Sequence, residues 1–168
     1  MRKFEIRTIA MLITLMILLS GCLSGGGEVG ASAGEGDFAV TLLVRADALL
    51  DNLHLLEENK RGLIPEDGIF FAGAVRAEAD ESVFDVLHRE MRGAGIHLAF
   101  RNTPLLDTVY VAAIGNLYEF DAGALSGWMF QVNGEFPGVG ASGYLLSPGD
   151  QIEWVYTLDL GRDIGFDR

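Results

Sequence analysis

The sequence predicts an α+β domain in which one main helix packs on a mixed β-sheet. Three observations support this prediction: several short segments alternate apolar and polar residues, a two-residue turn signal follows the clearest of them, and one stretch repeats its apolar residues at helical spacing. Strands gathered around one amphipathic helix are typical of the α+β class. The pattern alone leaves a β-grasp-like fold and a ferredoxin-like fold open.

Residues 1–21 have the pattern of a bacterial lipoprotein signal peptide. A basic start precedes an apolar run at residues 9–19, and a Leu-Ser-Gly-Cys tetrapeptide that matches a lipobox ends at Cys22. The run is short for a membrane span, which takes about 20 residues, so a transmembrane anchor with a chance cysteine is the less favoured interpretation. We expect Cys22 to be lipidated and to anchor the protein to the lipid bilayer, on the outer face of a membrane of the bacterial cell envelope.

Residues 22–36 are rich in Gly, Ser and Ala, a composition that buries too little apolar area to order itself. We expect a flexible tether there, followed by one folded domain over residues 37–168. The alternation at residues 38–45 predicts the first strand. Residues 49–68 are interrupted by proline and glycine and predict mainly loop, while residues 69–78 predict a second strand.

The best helix signal lies at residues 82–92. Ser82 can cap this helix, and Asp85 stands three residues later, as in a capping box. The apolar residues that follow fall on one helical face. Gly93 and Gly95 predict the end of the helix.

The remaining strands are predicted from alternation, at residues 97–100, 108–114, 128–132 and 151–156, with a loop at residues 101–107 and a short strand or turn at residues 116–120. Asn133-Gly134 follows the strand that begins at Trp128. This dipeptide supplies the positive φ angles that a two-residue type I′ hairpin turn needs. Trp128 and Trp154 give the last strands an aromatic face.

The order of residues from position 117 to position 163 resembles the C-terminal domain of the transcobalamin family. The runs SGW, VNGE, VGAS, PGD and IEWVYT carry this resemblance, which extends back to about residue 38. That domain closes the cobalamin carriers transcobalamin and intrinsic factor, and it also occurs in bacterial lipoproteins and surface proteins. The resemblance implies a β-grasp-like, ubiquitin-like fold.

No arrangement of residues predicts an enzyme. The histidines at positions 54, 88 and 97 form no HExxH motif, and neither Ser126 nor Ser142 lies in a GxSxG motif. The acidic residues near the last strands lack EF-hand spacing, so we expect salt bridges and turn caps there rather than a metal site. The net charge of −12 disfavours nucleic acid as a partner, because phosphates require basic patches.

The resemblance also implies a ligand and a partner. In the transcobalamin family the C-terminal domain covers one face of a corrinoid held against a helical domain, and hairpin and loop residues make the contacts. The candidates at the matching positions of this chain are Trp128, Phe136, Pro137, Val139 and Tyr144. The sequence predicts no helical domain, so cobalamin binding would need a helical-domain or other envelope protein as partner.

Two functions of different classes remain open. The first is a membrane-anchored, extracytoplasmic binding module for cobalamin or another corrinoid. The second is a structural or adhesive cell-surface module without a small-molecule ligand. The first predicts a concave aromatic patch beside residues 138–144, whereas the second predicts an exposed sheet edge or a flat patch.

Overall fold

The computed structural model describes residues 36–103 and 108–166. The predicted signal peptide, the lipidation site at Cys22 and the tether up to residue 35 lie outside the described residues. No helix in the described part of the chain is long and apolar enough to cross a membrane.

The described residues form seven strands and two helices, together with three short 3₁₀ turns. The strands are β1 (Phe38–Arg45), β2 (Ile69–Ala77), β3 (Leu98–Thr103), β4 (Thr108–Ile114), β5 (Leu117–Tyr118), β6 (Gly127–Val132) and β7 (Gln151–Thr157). The helices are α1 (Glu58–Arg61) and α2 (Val83–Ala94), and the 3₁₀ turns are Asp47–Leu49, Leu53–Leu55 and Arg162–Ile164.

Two sheets organise these strands. Four strands lie in the order β2-β1-β7-β6, in which the central pair β1 and β7 is parallel and the outer pairs are antiparallel. The other three form an antiparallel sheet in the order β3-β4-β5. A mixed sheet with one main helix confirms the predicted α+β class, whereas the β-grasp assignment stays a prediction.

The hydrophobic core lies on one face of the four-stranded sheet. Val40, Leu42 and Val44 of β1 are buried and alternate with more exposed residues. Leu42 pairs with Ile152 and Val44 pairs with Trp154 across the parallel ladder, so these side chains share that face. The bounds predicted for β1 and β4 are confirmed.

Helix α2 packs its buried face on this core and has the predicted start. The hydroxyl of Ser82 accepts a hydrogen bond from the backbone N–H of Asp85, and the Asp85 carboxylate accepts one from the backbone N–H of Ser82. This is the capping box that the sequence predicts. Gly95 ends the helix at a φ of 69°, whereas Gly93, predicted as part of the stop signal, lies inside the last turn.

The predicted Asn133-Gly134 turn is confirmed. Asn133 has a φ of 54° and Gly134 a φ of 82°, and the backbones of Val132 and Glu135 exchange hydrogen bonds of 2.9 and 3.0 Å. The return strand is limited to this single bridge. Strand β6 pairs with β7 over all six of its residues, and the Asn133 side chain accepts a hydrogen bond from the backbone N–H of Gln151 at the start of β7.

Two segments differ from the prediction in extent. Strand β3 continues to Thr103, past the predicted end at residue 100, because β4 supplies backbone partners along its whole length. Residues 49–68 are mainly irregular, as predicted, but contain α1 and a 3₁₀ turn. Lys60 of α1 ties this segment to Asp121 at 2.5 Å.

Candidate functional site

A pocket of about 470 Å³ opens beside β6, at the edge of the four-stranded sheet. Three parts of the chain form its walls: Tyr110 of β4, residues between positions 120 and 129, and the C-terminal segment between positions 157 and 166. Most of the lining side chains are apolar or aromatic, and among the described lining residues Arg162 alone carries a charge. Pockets of this size and composition are typical of small-molecule sites.

Three exposed apolar residues form a row along the pocket, and we call them the apolar row. Phe120 is 58% exposed, Leu125 is 41% exposed and Leu160 is 52% exposed. The backbone N–H of Phe120 donates to the carbonyl of Ser126 at 2.9 Å, and the N–H of Leu160 donates to the carbonyl of Leu125 at 2.9 Å. These bonds place the three residues side by side on adjacent backbone segments.

Two members of the apolar row have an unfavourable backbone conformation. Phe120 has a φ of 68° and Leu160 a φ of 50°. The left-handed region costs a residue with a Cβ about 1–2 kcal/mol, and bulky side chains adopt it rarely. Both residues line the same pocket.

Hydrogen bonds on both sides hold the turn that carries Phe120. On one side the Glu119 carboxylate accepts hydrogen bonds from Arg101 at 2.8 Å and from the Tyr110 hydroxyl at 2.5 Å. On the other side the Asp121 carboxylate accepts from Lys60 at 2.5 Å and from the backbone N–H of Tyr118 at 2.9 Å. Strands β3, β4 and β5 and helix α1 therefore all fix this turn.

The polar cluster around Glu119 shifts the pKa values of its members. Burial and the hydrogen bond to Glu119 raise the pKa of Tyr110 to about 12, although the charge of Arg101 acts in the opposite direction. Burial also acts to raise the pKa of Glu119, but hydrogen bonds from Arg101 and Tyr110 outweigh it, and this pKa lies below its ordinary value. At neutral pH the cluster contains an ionised carboxylate, a neutral phenol and a guanidinium.

Ser126 anchors the loop between Phe120 and β6. It is 3% exposed, and its hydroxyl donates to the carbonyl of Gly123 at 2.8 Å and accepts from the N–H of Ala122 at 3.1 Å. The hydroxyl also contacts the Tyr156 hydroxyl at 3.0 Å, in the core. The loop that carries Phe120 and Leu125 is thus attached directly to β7.

The C-terminal wall of the pocket is held by Thr157 and Asp163. The Thr157 hydroxyl donates to the Asp163 carboxylate and accepts from the backbone N–H of Gly161 at 2.7 Å. The same carboxylate accepts from the N–H of Leu158 at 2.7 Å. Gly161 lies so close to β6 that a Cβ there would be 2.8 Å from the sulfur of Met129, so the segment packs directly against the sheet.

The charged residue of the pocket, Arg162, lies at the rim of the pocket. Its Nε donates to the Asp159 carboxylate at 2.9 Å, in a pairing that also uses Nη2. This hydrogen bonding lowers the pKa of Asp159. The acidic residues near the last strands form salt bridges and turn caps. The described part of the chain contains no group of three or more His, Cys, Asp or Glu side chains that could hold a metal ion.

The structure brings only part of the predicted ligand set to this pocket. Trp128 lines it but is 6% exposed, with its Nε1–H bonded to the carbonyl of Leu117 at 2.9 Å. Phe136 packs edge-on against Phe166, which lines the pocket, with ring centroids 5.1 Å apart. The other three, Pro137, Val139 and Tyr144, do not line it.

The pocket beside β6 includes none of the residues 138–144, where the sequence predicts a concave aromatic patch, and that patch stays a prediction. Tyr144 is half-buried against the core, and its carbonyl accepts the N–H of Val83 at the start of α2, at 3.0 Å. Val139 is 53% exposed. This loop supports the helix, whereas the pocket lies along β6.

Sequence reasoning missed the apolar row and Tyr110. Their strand and loop segments carry no distinctive motif, and Tyr110 is one exposed position of a regular strand. One signal was available: Phe120 and Leu160 are large apolar residues that sit between an acidic residue and a turn, in the sequences EFDAG and LDLGRD. Turn positions favour Gly, Asn, Asp and Ser, so a bulky residue there is unusual.

Comparison with known proteins finds a similar domain fold and a sequence family that matches part of the chain. A sequence model described as "Domain of unknown function (DUF4430)" matches residues 80–157. The fold is similar to part of haptocorrin, solved in complex with Cbi, with a TM-score of 0.55 and 14% identity, over 80% of this chain and 28% of the haptocorrin chain. These findings support a transcobalamin-like domain.

A second structure is less similar. A protein from Ruminococcus gnavus ATCC 29149, for which metal binding has been suggested, matches at 14% identity over 71% of this chain and 96% of its own, with a TM-score of 0.42. No relative was found among the curated proteins. The present chain thus spans less than a third of the haptocorrin chain and nearly all of the bacterial one.

Proposed function

We propose that this protein is a membrane-anchored, extracytoplasmic binding domain whose pocket takes the apolar face of a small ligand, with a corrinoid such as cobalamin as the first candidate. The observation that carries the proposal is the pocket of about 470 Å³ edged by the apolar row. Exposed apolar surface gathered in one concavity marks binding sites. The fold similarity to haptocorrin, solved in complex with Cbi, supports the choice of ligand.

The proposed ligand would be held on one face only. A corrin macrocycle with its side chains is larger than this pocket, and the apolar row remains open to solvent. The domain would cover part of one face, and a partner protein with a helical domain would cover the other. Apolar contacts would supply most of the affinity, and Arg162 would donate a hydrogen bond to an amide or carboxylate oxygen of the ligand at the rim.

The test is a titration of the soluble chain from Gly36 onward, first checked for cooperative unfolding, with cobinamide and with cobalamin. We expect saturable binding with an affinity that Leu125→Ala lowers about tenfold, which corresponds to a loss of about 1.4 kcal/mol of binding free energy. Leu145→Ala is the matched control, because Leu145 is 59% exposed but does not line the pocket. Tyr144→Ala tests the loop at residues 138–144, where the sequence predicts ligand contacts.

The outcomes separate the two candidate sites. Loss of affinity in Leu125→Ala alone supports the pocket, whereas loss in Tyr144→Ala alone would move the site to residues 138–144. The absence of heat and of any absorbance change with both ligands would reject corrinoid binding by the isolated domain.

The membrane anchor has its own test. Cell fractionation should find the protein with the membranes, and Cys22→Ala should release it or leave it with an uncleaved signal peptide. The mass of the membrane form should match a chain that begins at a diacylated Cys22. A Cys22→Ala protein that remains on the membrane with its N terminus removed would contradict lipid anchoring.

One observation favours the alternative, a structural or adhesive surface module. In the described part of the chain, β2 is an outer strand of its sheet, and residues 72–74 are exposed small residues without a carboxylate. An open edge of this kind can accept a strand from a partner. Ala74→Lys should abolish binding to isolated cell envelopes if this function holds, while leaving a corrinoid titration unchanged.

A further inference from the structure

We infer that Phe120 and Leu160 are the principal ligand-contacting residues, kept in a left-handed backbone to serve binding, and that the ligand presents to them a rigid apolar face such as a ring system. This inference rests on the proposed function of the pocket. It goes further by naming the residues that determine specificity and the surface of the ligand that they recognise.

The first argument compares these residues with the others that share their conformation. Within residues 36–103 and 108–166, the other positions with positive φ hold glycine or one of three short polar residues, Asp80, Asn116 and Asn133. Those are the residue types that tolerate this conformation. Phe120 and Leu160 are the exceptions, and both lie on one pocket.

The second argument is that the fold gains little from these side chains. Phe120 is 58% exposed and Leu160 is 52% exposed, so neither contributes much buried apolar area. Glycine or asparagine at either position would relieve the backbone without opening the core. A side chain that is unfavourable for folding and unburied is explained by what it contacts outside the chain.

The third argument is that both residues are held rigidly. The neighbours of Phe120 are fixed through Glu119 and Asp121 by cations from separate elements. Leu160 lies between Asp159, which pairs with Arg162, and Gly161, which packs against Met129. A ligand therefore meets side chains that project from backbone segments already fixed in place, which lowers the cost of ordering the site on binding.

The apolar row also defines the class of ligand. Its three side chains lie side by side and present no hydrogen-bonding group, so a sugar or a bare metal ion would gain nothing from them. A flat or gently curved ring system can touch all three at once. Arg162, the one charged residue among the described lining residues, would select a ligand that carries an acceptor group beside its apolar face.

The test measures stability and affinity on the same variants of the full-length protein, purified in a mild detergent. Phe120→Gly and Leu160→Gly should each raise the Tm by about 3–5 °C through relief of the backbone, and should each weaken cobinamide binding at least about tenfold. Phe120→Ala keeps the unfavourable φ, so it should lose the same affinity without the gain in Tm.

Asn116→Gly is the matched control, since Asn116 has a φ of 64° and does not line the pocket. It should leave affinity unchanged and shift the Tm by less than the two test variants. A fall in Tm for Phe120→Gly and Leu160→Gly would overturn the claim of backbone strain. A rise in Tm with unchanged affinity would overturn the contact role while the proposed function stands. Failure of the unmodified protein to bind cobinamide would reject the proposed function itself, and the contact role with it.

Discussion

Tyr110, Arg101 and Glu119 show how single residues build the wall of the pocket. The guanidinium of Arg101 lies 4.2 Å from the centroid of the Tyr110 ring and donates a hydrogen bond to Glu119. The Glu119 carboxylate also accepts a hydrogen bond from the Tyr110 hydroxyl. Each group therefore has two partners. The ring is stacked on one face and tethered at its hydroxyl, so it forms a firm surface for the pocket.

Tyr110→Phe should change the alkaline titration of the protein. The folded-state pKa of Tyr110, about 12, lies above the unfolded value of about 10. Its contribution to stability is therefore fully present below about pH 10 and is lost as the pH rises toward about 12. Near-ultraviolet absorbance should record a late-ionising tyrosine that disappears in Tyr110→Phe.

The buried Tyr156, whose pKa burial also raises, should still ionise late in Tyr110→Phe, so the expected change is a loss of amplitude. If Tyr110→Phe and the unmodified protein showed the same amplitude of late tyrosine ionisation, the raised pKa of Tyr110 and its hydrogen bond to Glu119 would be contradicted.

At the scale of the element, helix α2 depends on its first turn. The hydroxyl of Ser82 also donates to the Asp85 carboxylate at 2.6 Å, and Ser82 is 1% exposed. Its backbone forms a bridge with Leu145, outside the helix. The cap therefore fixes both the start of the helix and the loop that returns toward β7.

Ser82→Ala should lower the free energy of unfolding by about 1–2 kcal/mol, because the N–H of Asp85 loses its acceptor in a buried setting. Denaturant titration measures this change. Ser147→Ala is the control, since Ser147 is exposed and its hydroxyl has no described hydrogen bond. The double variant Ser82→Ala/Asp85→Ala should lose less free energy of unfolding than the sum of the two single variants. Strictly additive losses would contradict a capping box in which the two residues bond reciprocally.

The elements with regular periodicity are the ones the sequence can predict. Strand β1 buries alternate residues and α2 begins at a capping box, so local chemistry defines both. Strand β3 extends beyond its predicted end to Thr103. Arg101 and Asn102 are exposed and Thr103 is half-buried, so these residues carry no apolar pattern from which the extension could be predicted. Their pairing with β4, a tertiary interaction, decides their conformation.

The pocket could not be predicted for a related reason. Its walls come from β4, from the loop after Phe120 and from the segment around Leu160, which are distant in sequence and meet only through the sheet. The aromatic residues that stand out in the sequence, Trp128 and Trp154, are mostly buried instead. Large aromatic side chains stabilise cores as readily as they form binding sites, so their presence alone does not distinguish the two roles.

At the scale of the whole molecule, the dominant property is the net charge of −12. Ion pairs such as those of Lys60 with Asp121 and of Arg101 with Glu119 offset part of the repulsion. Acidic side chains nevertheless outnumber basic ones 24 to 12, so one-to-one pairing with every cation would still leave half of them without one. Self-repulsion of this kind destabilises the compact state.

Added salt should therefore stabilise the protein. Raising NaCl from about 20 mM to about 200 mM shortens the Debye length below about 10 Å and should raise the Tm by about 2–4 °C. Glu66→Lys removes one exposed acidic charge and should reduce this salt dependence. A Tm that falls with NaCl would mean that screening of the ion pairs outweighs relief of the repulsion.

The position of β1 has a mechanical consequence. Its ladders join it to β2 on one side and to β7 on the other, and it is the first strand after Gly36. Tension that enters the domain through Gly36 would act along β1, while the hydrogen bonds on both sides run across it. Such a load acts on the hydrogen bonds of both ladders at the same time, instead of breaking them one after another. Strand β7 separates the loaded strand β1 from β6 and the pocket beside it.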